Sequence, residues 1–389
     1  MRAVNEPDQV KSLMHRRRVL LVLENAGGGT GRHVVDLAAG LIRMGWSVDL
    51  LYSTGRLEAW FEREIAAIPG LKLHVLEMAM GISWTDLRAA AGLRRFIRSK
   101  GPFDIVHGHS SKGGALARIA AAATGAAVIY TPHALYTLDP KLSRTKRTIF
   151  AALERNLARL THAVVCVSRA EFNHAREIGI PVSKLRLITN GIDVSGFGHR
   201  SDARRQMALN DDEFCIGHVG RLVPQKAVHV LIETFAAVRA QCPSARLVIL
   251  GDGPDRPALE RLAARSSHAE AIHFLGALDG RLLMPGFDVF ALTSHYEGFP
   301  YVLLEAAVSG VPIVMTDVGG GDELVESGIT VVACRAEELA EQLKKLYDDA
   351  VASDRERIAN GRRAAENFSL QAMIKETCAL YESVLARSV

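Results

Sequence analysis

Short apolar runs, bounded by glycine, proline and small polar residues, recur along this chain of 389 residues, and stretches of helical periodicity separate them. Arg18 to Glu24, Ser47 to Tyr52, Lys72 to Leu76, Ile105 to His109, Ala127 to Thr131, Ala163 to Ser168 and Leu185 to Thr189 read as strands. Helical patterns at Val34 to Met44, Leu57 to Ala67, Trp84 to Ser99, Gly113 to Ala123 and Lys141 to Arg159 fall between them. Apolar runs without polar alternation suit strands buried on both faces, and strand–helix alternation predicts a doubly wound parallel sheet. Val194 to Asn210 is weakly patterned and is expected to be a linker with a lead-in helix. The alternation then resumes with strands at Phe214 to Val219, Leu247 to Leu250, His273 to Leu275, Asp288 to Thr293 and Ile313 to Thr316, and a helix at Val228 to Arg239. Residues 336–365 have helical periodicity, and a last helix from about Leu370 carries the stripe Met373, Ile374, Cys378, Tyr381 and Leu385. A chain of this length is long for a single core, so two α/β domains are expected, 17–193 and 194–369. Residues 1–16 lack periodicity and read as a mobile tail.

The stretch from Phe290 to Thr316 concentrates the candidate chemistry. A buried strand runs into the loop Ser294 to Phe299, Pro300 stands at the favoured first helical position, and Gly310 with Pro312 stops the helix. Ligands of open parallel sheets bind at the carboxyl ends of strands, where helix amino termini gather. Glu297 lies in that loop, followed by Gly298-Phe299-Pro300, and Glu305 interrupts an otherwise apolar helix start, where a charge needs a partner.

Three other loops fall at strand ends. Gly220-Arg221-Leu222-Val223-Pro224-Gln225-Lys226 brings two cations to the position where an anionic ligand would sit, Arg gripping bidentately and Lys as a point charge. Gly251-Asp252-Gly253-Pro254 follows another strand. Asn25 to His33 is glycine-rich, which lets backbone amides approach a phosphate. It lacks the dinucleotide fingerprint, because Arg32 and Val34 stand where a third glycine is required. His107 and His109 share one side of a strand, with no third metal ligand in view, and His109 is expected to reach the cleft. His133 follows the strand ending Thr131-Pro132, and Asn190-Gly191 is a tight-turn dipeptide.

These segments together resemble retaining glycosyltransferases of the GT-B fold, glycosyltransferase family 4. The likeness runs from about Arg18 to Leu385 and is most specific at Gly220 to Lys226 and at Glu297 to Glu305, a glutamate pair with seven residues between, followed by Gly310-Val311-Pro312. It implies two Rossmann-like domains facing across a cleft, nucleotide on the second and acceptor on the first, with the last helix, 370–389, crossing back. It also implies that Arg221 and Lys226 take the donor diphosphate, Glu297 and the Gly298-Phe299 amides the sugar hydroxyls, and Glu305 the ribose. His133 would face the donor hexose. The implied donor set extends to Gly28, Gly29, Asn190, Gly251, Gly253 and Pro300, and His109 belongs to the acceptor side. Gly31 stands where the family often has Glu, and Gly319 to Glu323 resembles the family's Gly-Gly-x-x-Glu turn. The implied reaction is hexose transfer from a nucleoside-diphosphate sugar, UDP- or GDP-linked, with retention, the leaving phosphate helping to deprotonate the acceptor. No Asp-x-Asp occurs, so a metal bridge to the diphosphate has no obvious ligands, and no cofactor beyond the sugar-nucleotide co-substrate is expected. A sugar-nucleotide epimerase of the same fold and a non-catalytic nucleotide-sugar-binding subunit are the alternatives. A nicotinamide dehydrogenase is disfavoured by the failed fingerprint.

Charge adds a partner. Residues 1–190 hold 27 Lys and Arg against 15 Asp and Glu, a net of +12, and the rest carry 20 against 28, a net of −8. Arg88, Arg94, Arg95, Arg98 and Lys100 interleave with Leu87, Leu93, Phe96 and Ile97, and a similar mixture runs from Lys141 to Arg159. Basic helices with apolar neighbours suit an anionic membrane surface or a lipid diphosphate. No nucleic-acid module accompanies the charge, so nucleic acid is not an expected partner. The acceptor expected on these grounds is a lipid-linked saccharide at the cytoplasmic membrane face. The five cysteines are scattered and odd in number, as for reduced core thiols of a cytoplasmic protein, and no secretory signal or spanning segment is read.

Overall fold

A computed structural model describes residues 17–387 apart from Met80, Ile82, Gly328, Thr330 and 349–353, so the tail expected at 1–16 lies outside the described residues. The first sheet consists of β1 (Arg18–Leu23), β2 (Ser47–Tyr52), β3 (Lys72–Val75), β4 (Ile105–His109), β5 (Ala127–Thr131), β6 (Ala163–Cys166) and β7 (Leu185–Leu187), in the order β3-β2-β1-β4-β5-β6-β7. The second holds β8 (Phe214–Val219), β9 (Ala245–Leu250), β10 (Ile272–Gly276), β11 (Val289–Leu292), β12 (Ile313–Thr316) and β13 (Val331–Cys334), in the order β10-β9-β8-β11-β12-β13. Pairing is parallel, as for β1 with β2 and β4 and for β8 with β9 and β11, so the α/β class expected from the alternation is found.

Burial follows from the composition of the strands. Val289 and Ala291 of β11 join one apolar cluster with Ile216, Leu247 and Val314, while Phe290 and Leu292 join another with Val248, Ile313 and Met315. Both faces of the sheet are therefore covered, which is why these strands lack polar alternation. In each sheet the chain steps outward over three strands and then returns to the other side of the first. The strand order reverses between β1 and β4 and again between β8 and β11. Loops at the carboxyl ends of such neighbours diverge and leave room for a ligand.

The chain separates into two compact units, one with residues up to Thr131, 159–163 and 378 onward, the other with 132–158 and 164–377. The last helix, Leu370–Ala386, contributes Tyr381 to the first unit, where its hydroxyl is 2.7 Å from His107 Nδ1. Several boundaries differ from the sequence reading. The helix expected from Val34 starts at Gly28 and runs to Arg43, so Gly28 to His33 form its first turns and not a loop. Pro300 precedes the first helical residue, the helix being Tyr301–Val308. Leu339–Asp348 and Asp354–Asn367 are two helices where one periodic segment was read. Arg169–Glu177 and Arg256–Ala264 are helices that the sequence reading passed over. Cys166, Cys215, Cys242 and Cys378 are buried free thiols, and the Cys334 side chain lies outside the described residues.

Candidate active site

Two loops at the switch point of the second sheet hold most of the candidate residues. The loop after β8 is held by the loop after β9, since Leu222 N–H donates to Asp252 O at 2.9 Å. Gly251 and Gly253 have φ of +137° and +158°, and a Cβ on them would stand 1.8 Å from Gly220 O and 2.3 Å from Leu222 O. Both positions exclude a side chain because two backbones touch there. Arg221 is exposed, and Lys226 ends a short 3₁₀ turn, Pro224–Lys226. Ala227 follows with φ +47° and opens the helix Val228–Gln241.

The loop after β11 is tied to that turn through its backbone. Gln225 Nε2 donates to Tyr296 O at 2.9 Å, His295 N–H to Gln225 O at 2.8 Å, and Thr293 Oγ1 to Lys226 O at 3.0 Å. Lys226 Nζ then reaches Glu297 Oε1 at 2.6 Å, with both side chains largely buried. Glu305 projects from the helix Tyr301–Val308 toward Arg281, whose Nε is 3.4 Å from Glu305 Oε1. Glycines again set the approach. A Cβ on Gly298 would stand 2.4 Å from His133 O, and one on Gly319 would stand 2.1 Å from Gly298 O. Gly320, at φ +101°, packs on the Phe299 ring. Phe299 is buried against Phe368, and its carbonyl accepts from Asn190 Nδ2 at 2.7 Å. Asn190 and the Phe299 side chain thus brace the loop. Glu323, in the helix Gly321–Glu326 that stands where the Gly-Gly-x-x-Glu turn was expected, accepts from Arg169 N–H at 2.5 Å beside Ser168, whose hydroxyl caps the helix Arg169–Glu177 by accepting from Glu171 N–H.

The structure therefore gathers Arg221, Lys226, Glu297, Gly298, Phe299, Pro300, Glu305, His133, Asn190, Gly251 and Gly253 within one unit. It adds residues that the sequence did not single out. His218 is fully buried, and its Nδ1 lies 3.0 Å from Ala291 O. A carbonyl only accepts, so Nδ1 carries the proton and Nε2 is bare. Burial first, with Lys226 nearby, pushes the ring down to about 4. A Cβ on Gly220 would stand 3.4 Å from His218 Nε2 and 3.8 Å from Lys226 Cε, so a neutral acceptor backs the cation loop. A polar residue near the end of an otherwise apolar strand was the signal. Glu171 is also buried, accepting from Leu135 N–H and Val167 N–H, and burial raises it to about 7.

In the first unit, Gly28 and Gly29 are exposed at the start of the helix Gly28–Arg43, whose first amides are free of intrahelical partners by geometry. Gly31 lies under Phe61 and Trp60, 3.2 Å and 3.5 Å from where its Cβ would be, so those rings occupy the place of a side chain. His107 Nε2 is 2.8 Å from Thr131 Oγ1, which with Tyr381 uses both its nitrogens. His109 is buried beside it, with ring centroids 4.1 Å apart and His33 at 5.5 Å. Lys112 pairs with Asp86 at 2.6 Å beside Glu24, which burial raises while Arg56 and Lys112 oppose.

Two parallel sheets, with paired cations and carboxylates at the switch point of the second, define the architecture of the GT-B glycosyltransferases. Residues 27–195 match the family described as Glycosyltransferase Family 4, residues 199–364 match Glycosyl transferases group 1, and the chain belongs to this glycosyltransferase family. It is 26% identical to a Staphylococcus aureus capsular polysaccharide biosynthesis glycosyltransferase, over 88% of this chain and 91% of that one. It is 27% identical to an Escherichia coli UDP-Gal:alpha-D-GlcNAc-diphosphoundecaprenol alpha-1,3-galactosyltransferase, over 68% and 72%. A Mycobacterium tuberculosis glycogen synthase is 30% identical over 59% of this chain, and the match spans only 56% of that protein. Among solved structures, Anabaena Alr3699/HepE in complex with UDP and glucose superposes with a TM-score of 0.79 at 22% identity, covering 95% of this chain and all of that one, a likeness of fold.

Proposed function

We propose that this chain is a retaining hexosyltransferase that takes a hexose from a UDP- or GDP-linked donor and adds it to a lipid-linked saccharide in surface or exported polysaccharide synthesis. One observation carries the reading: Arg221 and Lys226 follow β8 and Glu297 and Glu305 follow β11, neighbours at the switch point of the second sheet, with Lys226 and Glu297 in direct contact at 2.6 Å. On this reading residues 194–369 form the nucleotide half and 17–193 the acceptor half, where His109 serves the acceptor while Gly28 and Gly29 belong to the donor set.

Arg221 and Lys226 neutralise the diphosphate as it leaves, and charge developing in a water-poor site is where such groups act most strongly. Glu297 and the amides after it hold the sugar hydroxyls, and charge-assisted bonds make that grip directional. Glu305 accepts from the ribose. His133 is oriented toward the hexose by the backbone that Gly298 packs on. The leaving phosphate takes the acceptor proton, so the scheme requires neither a protein base nor a metal.

The acceptor assignment is supported by the lipid diphosphate named for the galactosyltransferase relative and by two exposed basic faces. On the helix Thr85–Lys100 and its lead-in, Trp84 and Leu87 are 89% and 69% exposed and share a face with Arg88, Arg95 and Arg98. On Arg144–Ala158, Ile149 and Leu153 are exposed on one face with Lys146, while Arg155 turns away to the Ile178 carbonyl at 3.1 Å. Leu93, Ile97 and Leu157, read as part of these mixtures, face the core instead. No described helix is long and apolar enough to cross a membrane.

Incubation with labelled sugar nucleotides and a bacterial membrane extract, with and without EDTA, tests the proposal. Label entering the lipid fraction in both conditions is expected. Label released without any acceptor, or transfer abolished by EDTA and restored by magnesium, would count against it.

A further inference from the structure

A cation and an anion that the proposed reaction assigns to different parts of the donor hold each other in this structure. Lys226 Nζ and Glu297 Oε1 are 2.6 Å apart, with the two side chains 15% and 8% exposed. Their backbones are locked together by Gln225, His295 and Thr293, as described above. The loops therefore keep their places when a ligand arrives, and the exchange of partners falls to the side chains. Removing one member of a buried pair leaves an uncompensated charge, which costs far more than the pair itself contributes.

We infer that the Lys226–Glu297 pair is a selectivity latch that a complete sugar nucleotide opens and a bare nucleoside diphosphate does not. A sugar nucleotide offers phosphate oxygens to Lys226 and hydroxyls to Glu297 at once, so both charges exchange one partner for another. A nucleoside diphosphate offers only the anion. It either leaves the Glu297 carboxylate buried without a partner or shares Lys226 with it, and both options weaken its binding. After transfer the sugar is gone, the latch recloses on Glu297, and the product diphosphate is expelled. The inference rests on assigning Lys226 to the diphosphate and Glu297 to the sugar, and it adds a discrimination that neither assignment contains. The coupling is reciprocal: whatever occupies Glu297 strengthens the hold of Lys226 on phosphate by the same factor.

Calorimetry with UDP and UDP-glucose, and with GDP and GDP-mannose as a second pair, reads the latch on the full chain. Glu297→Gln keeps the shape of the side chain but removes the charge that holds Lys226. It should bind the bare diphosphate about five- to tenfold more tightly and the sugar nucleotide about tenfold more weakly, changes of opposite sign within the usual range of such couplings. Lys226→Met should weaken both. A folded Glu297→Gln protein that binds the diphosphate no more tightly than the wild type would overturn the latch, leaving the transferase reading intact if the wild type still moves hexose. Should that variant not fold, the wild-type ratio decides: a diphosphate bound tenfold more tightly than its sugar nucleotide overturns the latch. A wild-type protein that binds neither pair overturns both the latch and the reading beneath it.

Discussion

Gly298 rests on the backbone of His133, with its missing Cβ position 2.4 Å from His133 O and 3.1 Å from Val167 Cγ2. Contacts this close cannot accept a methyl group without moving one of the two loops. Gly298→Ala should therefore lower turnover by tenfold or more, about 1.4 kcal/mol or above at the transition state, because a small displacement of the residues around the reacting sugar is costly. Steady-state kinetics beside a thermal melt checks this. Normal turnover in the folded variant would separate His133 from the reaction.

Arg221→Ala and Lys226→Ala should each reduce turnover by tenfold or more, on the order of 1.5 to 4 kcal/mol for a charge contact strongest at the transition state. Arg221 is exposed, so its loss should leave the melting temperature nearly unchanged, whereas Lys226→Ala strands the buried Glu297 carboxylate and should lower it. Near-normal rates in the double variant would remove the proposed diphosphate site.

Glu305→Gln should weaken binding of UDP or GDP itself, since Glu305 is assigned to the ribose that both nucleotides carry. The Arg281 guanidinium, 3.4 Å away, would lose its partner at the same time. Roughly a tenfold loss is expected for one charged hydrogen bond. Calorimetry with the bare nucleotide reads it: unchanged affinity would remove Glu305 from the ribose, and a loss of affinity in Glu297→Gln instead would reverse the assignment of the two glutamates.

Glu171 predicts a pH dependence of stability. Burial raises it from the ordinary 4.5 to about 7, so the folded chain holds a proton there that the unfolded chain releases. Its contribution is fully present below about pH 4.5 and is lost as the pH rises through 7. Burial lowers His218 toward 4, and that contribution runs the other way, present above its ordinary 6.5 and lost as the pH falls through 4. The Glu171 component is isolated by comparison with Glu171→Gln: the wild-type melting temperature should gain on the variant between pH 8 and pH 5. A gap independent of pH would show that Glu171 is ionised throughout.

Anionic vesicles should bind the protein at low salt and release it as salt is added, each cation near the surface adding roughly 1 kcal/mol. Trp84 is 89% exposed, so its fluorescence should shift to the blue on vesicle binding. Trp84→Ala with Leu87→Ala should reduce co-sedimentation several-fold. No binding at low salt, with full transfer to a soluble acceptor, would sink the membrane assignment.

The order of residues along the chain was enough to place the two loops of the candidate site at strand ends. Gly220 to Lys226 and Glu297 to Glu305 are each contiguous, and the apolar runs before them are strands whatever the rest of the chain does. Local pattern also sufficed for the fold class, since runs buried on both faces demand layers of helices. It misjudged what depends on surroundings: the helix starting at Gly28 and the inward turn of Leu93 and Ile97. The pairings needed the fold. Lys226 meets Glu297 across 71 residues, and His218 meets Ala291 across 73. Such contacts follow from β8 and β11 lying side by side, and strand order is set by the packing of the whole sheet. Hydrophobic periodicity says which face of a strand is buried and carries no information about which strand becomes its neighbour.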